Sequence, residues 1–265
     1  MGQPFFSIII VSYNAEKFIS ATIQSVLNQT FQDYEIIVKD ACSKDRTLEL
    51  VPDDSRIRVY STKDSGIYDG MNEAIDYAKG SYCAFLNCGD AFYDNEVLSH
   101  VYSALKDTDP SNTLLYGNCY RGNTYVKQPS KITPFYLYRI PLNHQTMFFG
   151  TELFSRIGKY DTQFKICADH EITVKALRSG VRFVYCPATI CHYLGGGMSE
   201  TPEGTLSRQK EKKELQCRHF SRKERMANDI KLFFTFPRLR KMLVTEKSPR
   251  WVRKLYRNLV NAANR

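Results

Sequence analysis

The sequence predicts an α/β fold, a mostly parallel sheet with helices on both faces, and three observations carry that prediction. Short β-branched runs alternate with amphipathic segments through the first part of the chain, the pattern of successive βαβ units. The runs are continuously apolar rather than alternating, as strands covered on both faces require. Polar residues close one run after another, at Ser12 to Asn14, Asp40, Lys63 to Asp64, and Asn87 to Asp90. In open α/β sheets ligands sit beyond those carboxyl ends.

Phe5 to Val11 (FFSIIIV) is the first strand, and Phe18, Ile19, Ile23, Val26 and Leu27 mark one face of the helix after it. Glu35 to Val38 is the second strand, ending in Lys39 and Asp40. ACSKDRT leads on to a short helix with Ser43 as its cap, and Ile57 to Tyr60 is the third strand. The stretch Lys63 to Asp94 organises the remainder. Ile67, Met71, Ala74, Ile75 and Ala78 recur at helical spacing, Asp64 or Ser65 caps the start, and Gly80 follows the end. Tyr82 to Leu86 then forms a fourth, buried strand, and Asn87, Cys88, Gly89 and Asp90 occupy its exit. A helix at Val97 to Leu105 follows, then strands at Leu114 to Tyr116 and Thr124 to Val126 forming a hairpin about Gly122-Asn123. Asn143, His144 and Gln145 precede the apolar run Thr146 to Phe149. Asp169 to Ser179 is helical, strands at Phe183 to Tyr185 and Thr189 to Ile190 lead to His192, and Gly195 to Gly197 read as a mobile loop.

The first strand-to-helix turn, VSYNAEKF, has no glycine. A dinucleotide-type pyrophosphate cradle is therefore disfavoured, because the backbone cannot come so close to the phosphates. The net charge of +9 is concentrated in the final quarter: residues 200–265 carry 18 Lys/Arg against 7 Asp/Glu, which leaves the body slightly acidic. Eight cysteines are scattered with no CxxC pair, which reads as buried thiols in a reducing compartment rather than a zinc site. The chain enters a strand almost at once with no charged-then-apolar leader, and no stretch approaches the ~20 apolar residues that cross a bilayer. A cytoplasmic protein is expected. Near the end, Trp251, Leu255, Leu259 and Ala262 form one stripe of a basic helix, a pattern suited to an anionic membrane surface.

The segments SIIIVSYN, EIIVKDACSKDRT, KDSGIYDGMNEAI, FLNCGD, HQTMFF and CADHEI, in that order, resemble the glycosyltransferases of family 2, in particular the bacterial branch that builds surface polysaccharides. The resemblance spans about residues 5–199. It implies a GT-A fold over residues 1–200, with a nucleotide-binding half (1–94) and an acceptor-binding half (95–200), while charge and patterning set off 201–265 as a basic helical extension. It also implies transfer of a sugar from a nucleotide donor, UDP-linked, to a hydroxyl of a glycan or lipid-linked acceptor, with inversion at the anomeric carbon.

Residue by residue, the resemblance places Ser12, Tyr13 and Asn14 against the nucleotide and Asp40 on the base. Asp64, Gly66, Asn72 and Asn87 fall at donor-side positions, although Met71 stands where many relatives carry arginine. Asn87-Cys88-Gly89-Asp90 matches an acidic motif of which only Asp90 is a carboxylate, so Asp90, with His192, is expected to meet Mg²⁺ or Mn²⁺ and the diphosphate. Asp169 matches the catalytic base, with Glu171 in reserve; on sequence alone Asp169 equally fits a helix cap. His144 receives no chemical role. The partners implied are the donor, the acceptor, an anionic membrane met by the tail, and a second copy of the chain, with no nucleic acid. Two rival readings stand beside this one. The first is a degenerate module that binds nucleotide-sugar or glycan without turnover. The second is a nucleic-acid binder, against which the acidic body argues.

Overall fold

A computed structural model describes residues 2–193, 201–235 and 249. The first half follows the expected alternation: β1 (Phe6–Ser12), α1 (Ile19–Leu27), β2 (Tyr34–Asp40), β3 (Ile57–Ser61), α2 (Ile67–Tyr77) and β4 (Tyr82–Asn87). After it come β5 (Ala91–Phe92), α3 (Val97–Leu105), β6 (Thr113–Arg121), β7 (Thr124–Val126), α4 (Pro134–Arg139), β8 (Phe148–Gly150), α5 (Leu153–Ile157), α6 (Ala168–Arg178), β9 (Arg182–Tyr193), α7 (Pro202–His219) and α8 (Arg222–Thr235). Between β2 and β3 only one 3-10 turn forms, Leu48–Leu50, and Ser43 does not cap it. The Ser43 hydroxyl bonds to Asp40 instead.

The strands join into a single sheet in the order β3-β2-β1-β4-β8-β6-β9-β5, with β7 paired to β6. β3, β2, β1 and β4 are mutually parallel, so Ser61, Asp40, Ser12 and Asn87 end on one edge. β8 runs antiparallel between β4 and β6, which makes the sheet mixed where a mostly parallel one was expected. β6 and β9 are parallel, and β9 is one strand rather than two. Its register slips beside Gly117 and Asn118, where Pro187, lacking an N–H, cannot continue the ladder. Asn118 fills the gap by donating from Nδ2 to the Pro187 carbonyl at 2.7 Å.

Successive strand residues face opposite layers. Ile8, Ile10, Ile36, Val38, Ala84 and Leu86 pack with Ile19, Ile23, Val97 and Val101 of α1 and α3 on one face. Ile9, Ile37, Cys83 and Phe85 pack on the other with Met71, Ala74 and Ile172 of α2 and α6. Leu215 of α7 and Phe220 after it belong to this second core. The basic composition that sets residues 201–265 apart therefore does not mark a packing boundary at 200: α7 is part of the body. The Trp251 stripe and Gly195 to Gly197 lie outside the described residues. Among those described, no helix is long and apolar enough to cross a membrane.

Candidate active site

The loops after β1 and β2 are zipped together. Asn14 takes φ 47°, a left-handed conformation that asparagine tolerates. Its N–H donates to Ser43 Oγ at 2.8 Å, and its Oδ1 accepts from the Lys44 N–H at 2.9 Å. Beneath this junction lies Asp40, fully buried. Its Oδ1 accepts from Ser12 Oγ (3.0 Å) and from the Ser43 hydroxyl, and its Oδ2 from Ser43 N (2.8 Å) and Ser61 Oγ (3.0 Å). Four donors satisfy the buried carboxylate and tie three strand ends into one floor. Contact between Asp40 and a nucleotide base requires one of those donors to be exchanged. Tyr13, at 62% exposure, presents its ring freely above.

Lys39 is buried beside this floor, paired with Asp64 at 3.1 Å and Glu73 at 3.3 Å. A buried ammonium depends on such partners, so Asp64 serves as its counter-ion. The other Asp64 oxygen accepts from Gly66 N at 3.1 Å. Neither Asp64 nor Ser65 caps α2. Gly66 holds the cap position at φ 142°, and Asp69 reaches back to accept from Ser65 N and Oγ, each at 2.8 Å. Asn72 differs from the sequence expectation. Its Nδ2 donates to the Tyr160 carbonyl at 2.8 Å and its Oδ1 accepts from Tyr160 N at 2.9 Å, so it fastens α2 to the loop before α6.

At the exit of β4, Asp90 is 9% exposed. Its N–H donates to the Asn87 carbonyl at 2.9 Å, and its Oδ2 accepts from Gln145 Nε2 at 2.9 Å. Thr22 Oγ1 accepts from Gly89 N at 3.0 Å and donates to the Asp90 carbonyl at 2.9 Å, clamping the turn. Burial pushes the Asp90 carboxyl above its ordinary pKa, opposed by the Gln145 bond and by His144 and His192 nearby. His192 pairs with Ala91 across β5 and β9, and its Nε2 lies 3.0 Å from the Gly122 carbonyl. The carbonyl can only accept, so Nε2 carries the proton and Nδ1 is the one ring atom left for a ligand.

His144, which the sequence left without a role, joins the two halves of the site. Its Nε2 is 3.0 Å from Asn87 Nδ2, and its Nδ1 is 3.6 Å from Asp169 Oδ2. With the amide donating, the proton sits on Nδ1 and faces the carboxylate, a tautomer assigned from the bonding pattern. Gln145, likewise overlooked, supplies the bond to Asp90. The available signal was two adjacent hydrogen-bonding side chains ahead of a buried strand, in HQTMFF. Asn143 fixes that turn by accepting from Gln145 N at 3.1 Å.

Asp169 lies in the first turn of α6, and Cys167 rather than Asp169 takes the cap position. One oxygen accepts from His170 N at 2.7 Å; the other faces His144. The side chain opens onto a cleft of about 1150 Å³ that His144, Gln145, Tyr185 and Arg208 also line. Glu171 does not compete for that place. It is buried, 2.8 Å from His219 Nε2 and 3.6 Å from Lys175 Nζ, and braces α6 against α7.

Among the described residues no cluster of three or more His, Cys, Asp or Glu could hold a metal. Asp90 is one carboxylate, and Asn87 Oδ1, on the same turn, is a buried oxygen without a partner. Such a set fits a hard cation that shares its remaining oxygens with a substrate diphosphate, not a cation caged by protein alone.

The chain matches known proteins throughout this region. The model of glycosyl transferase family 2 matches residues 7–164. A PGL/p-HBAD biosynthesis glycosyltransferase of Mycobacterium bovis is 28% identical over 216 residues, covering 76% of this chain and 81% of that protein. The Escherichia coli UDP-Glc:α-D-GlcNAc-diphosphoundecaprenol β-1,3-glucosyltransferase WfgD is 37% identical over 141 residues, covering 50% of this chain and 54% of its own length. Among solved structures, S. aureus TarS 1–349 in complex with UDP-GlcNAc superposes with a TM-score of 0.66 at 19% identity, over 97% of this chain and 80% of TarS. That likeness establishes the GT-A architecture. With the family's segments falling on β1, β2, α2 and the exit of β4, the chain is a glycosyltransferase and belongs to glycosyl transferase family 2.

Proposed function

We propose that this enzyme inverts the anomeric centre while moving a sugar from a UDP-linked donor to a hydroxyl of a glycan or lipid-linked saccharide, in the assembly of a bacterial surface polysaccharide. The observation that carries the reading is the link Asn87–His144–Asp169. It sets one carboxylate, open to the cleft, directly across from the strand exit where the family's donor motif lies. Support for the donor and acceptor classes comes from the relatives' names and from the UDP-GlcNAc held by TarS.

In this reading Ser12, Tyr13, Asn14 and Asp40 form the nucleotide floor, and Asp64 and Gly66 its wall. Asp90, Asn87 Oδ1 and Nδ1 of His192 are the groups that would meet Mg²⁺ or Mn²⁺, which when bound neutralises charge on the departing diphosphate. Asp169 takes the proton from the acceptor hydroxyl as that oxygen attacks the face of the sugar opposite the leaving group. His144 orients Asp169 with a proton that Asn87 keeps on Nδ1. Positioning of the two substrates supplies much of the acceleration in such a site.

A screen of nucleotide-sugars, scored by release of free nucleoside diphosphate and followed by proton NMR of the product, tests the reading. Turnover of a UDP-α-sugar to a β-linked product is expected. Retention at the anomeric carbon, or nucleotide binding with no turnover across an acceptor panel, would refute it, and the second outcome would favour the degenerate binding module.

The tail proposal is separate. Residues 231–265 dock the protein reversibly on an anionic membrane, each cation near the surface adding about 1 kcal/mol before screening. Sedimentation with vesicles should then require anionic lipid, weaken with salt, and be lost on truncation after residue 230. Equal sedimentation of the truncated chain would remove the role.

A further inference from the structure

We infer that Tyr68 is a positioning residue for the base, its hydroxyl fixing where Asp169 stands relative to the donor-side loop at Asp64 to Gly66. The inference rests on the reading of Asp169 as the base and adds to it a residue that the sequence left without a role.

One face of α2 is given over to the segment that leads into α6. Tyr68, Asn72 and Asp76 recur every four residues and so lie on one side of the helix. The Tyr68 hydroxyl donates to the Ile166 carbonyl at 3.0 Å, and its ring stacks on Tyr160 with centroids 5.5 Å apart. Asn72 holds the Tyr160 backbone by both of its polar atoms. Asp76 accepts from Lys159 Nζ at 2.5 Å, and the same ammonium donates to the Asn72 carbonyl at 2.9 Å. The Asp76 bridge is solvent-exposed and contributes little. Tyr68 makes the contact nearest in sequence to Asp169.

The carbonyl that Tyr68 holds stands three residues before Asp169, and the chain there is gripped from two sides. Glu211 of α7 accepts from Lys165 N (3.0 Å), Ile166 N (2.9 Å) and Cys167 N (2.8 Å). Tyr68 of α2 takes the Ile166 oxygen. With its N–H groups and its carbonyl fixed by different helices, the opening of α6 has little freedom to turn. Without the Tyr68 hydroxyl the grip is one-sided, and the turn that carries Asp169 can pivot about Glu211.

At its other end α2 starts beside the donor. Gly66 N donates to Asp64 at 3.1 Å, and Asp64 pairs with the buried Lys39 next to Asp40. Tyr68 follows Gly66 by two residues, so a single turn of helix joins that loop to the opening of α6. Burial pushes the Tyr68 hydroxyl well above the ordinary tyrosine pKa, and the Asp169 charge adds to the rise. The hydroxyl therefore keeps its proton and lies within electrostatic reach of the base. A base must stand within hydrogen-bond reach of the proton it takes, and a misplacement of about 1 Å can cost ~10²-fold in rate.

The test uses the full chain with Tyr68→Phe and Asp169→Asn, singly and together. Phenylalanine keeps the ring on Tyr160 and removes only the hydroxyl. Amide hydrogen exchange, measured without substrate, should rise several-fold in peptides spanning residues 164–171 of Tyr68→Phe and stay unchanged across β1 and β2. UDP affinity by calorimetry should equal that of wild type. With the donor and acceptor that the screen selects, well below both melting temperatures, kcat should fall about tenfold while KM for the donor holds. In the Asp169→Asn background the same substitution should cost nothing further, because an absent base cannot be misplaced. Unaltered exchange at 164–171, wild-type kcat in Tyr68→Phe, or a full further loss in the double variant would overturn the role. A residue that merely stabilises the fold, or that serves the donor, subtracts from both backgrounds alike. Full turnover in Asp169→Asn would refute the base itself and the inference with it. That outcome is distinct from a dead Asp169→Asn beside an intact Tyr68→Phe, which refutes Tyr68 alone.

Discussion

Asp169→Asn is expected to abolish sugar transfer while leaving nucleotide affinity nearly unchanged. The amide preserves the shape of the side chain and can still accept from His170 N, which Oδ1 does now at 2.7 Å. It cannot take up the proton of the acceptor hydroxyl, and loss of a general base typically costs ~10²–10⁴-fold in rate. Nucleotide affinity should hold because the hydrogen bonds that join Ser12, Asn14, Asp40 and Ser43 run among the loops after β1 and β2 and use no group of α6. Glu171→Gln is the control. Its carboxylate is bound to His219 and Lys175, so the substitution should lower Tm while kcat persists. Full turnover in Asp169→Asn together with a dead Glu171→Gln would transfer the role of base to the neighbour.

The contrast between those two carboxylates shows what the sequence could and could not disclose. Local periodicity placed α3 at Val97 to Leu105 and the hairpin strand at Thr124 to Val126, as found, because both are set by neighbours along the chain. The position of Asp90 just past the end of β4 was legible for the same reason. What distinguishes the surroundings of Asp169 from those of Glu171 is nonlocal. His144, 25 positions before Asp169, turns toward one of them, and His219, 48 positions beyond Glu171, claims the other. The resemblance put Asp169 first and Glu171 in reserve, but these two contacts could not be read from the sequence. Asn72 and Asp40 make the same point from the other side. Their residue types fit donor contacts, yet tertiary folding commits one amide to Tyr160 and one carboxylate to four donors.

Composition set residues 201–265 apart as a basic helical extension. α7, however, turns Leu215 into the core and directs Glu211 to the N–H groups ahead of α6. One apolar side chain and one well-placed acid outweigh many surface cations in deciding where a helix packs, because exposed charges contribute little to stability. Net charge is informative about partners and not about fold.

Asp90→Asn should separate function from stability in opposite directions. Burial raises the Asp90 pKa, which means that the folded state disfavours the charged carboxylate relative to the unfolded chain. The sign follows from linkage. A carboxyl whose folded pKa is raised contributes most below its unfolded pKa, and that contribution is lost as pH rises through the folded value, so at neutral pH the charge is a cost. Asparagine removes the cost and keeps an oxygen to accept from Gln145 Nε2, now 2.9 Å away. The expected result is a Tm at neutral pH equal to or above wild type, with the difference shrinking as pH falls through the Asp90 titration. Activity should move the other way. Without the carboxylate the diphosphate and its cation lose their one anionic protein contact on that turn, several kcal/mol of charge stabilisation, or roughly 10²-fold or more in rate. Any response to added Mg²⁺ or Mn²⁺ should vanish with it. A group retained at the expense of stability is one that the reaction uses. A variant that lost stability and kept its metal response would show that Asp90 serves the turn and not the donor.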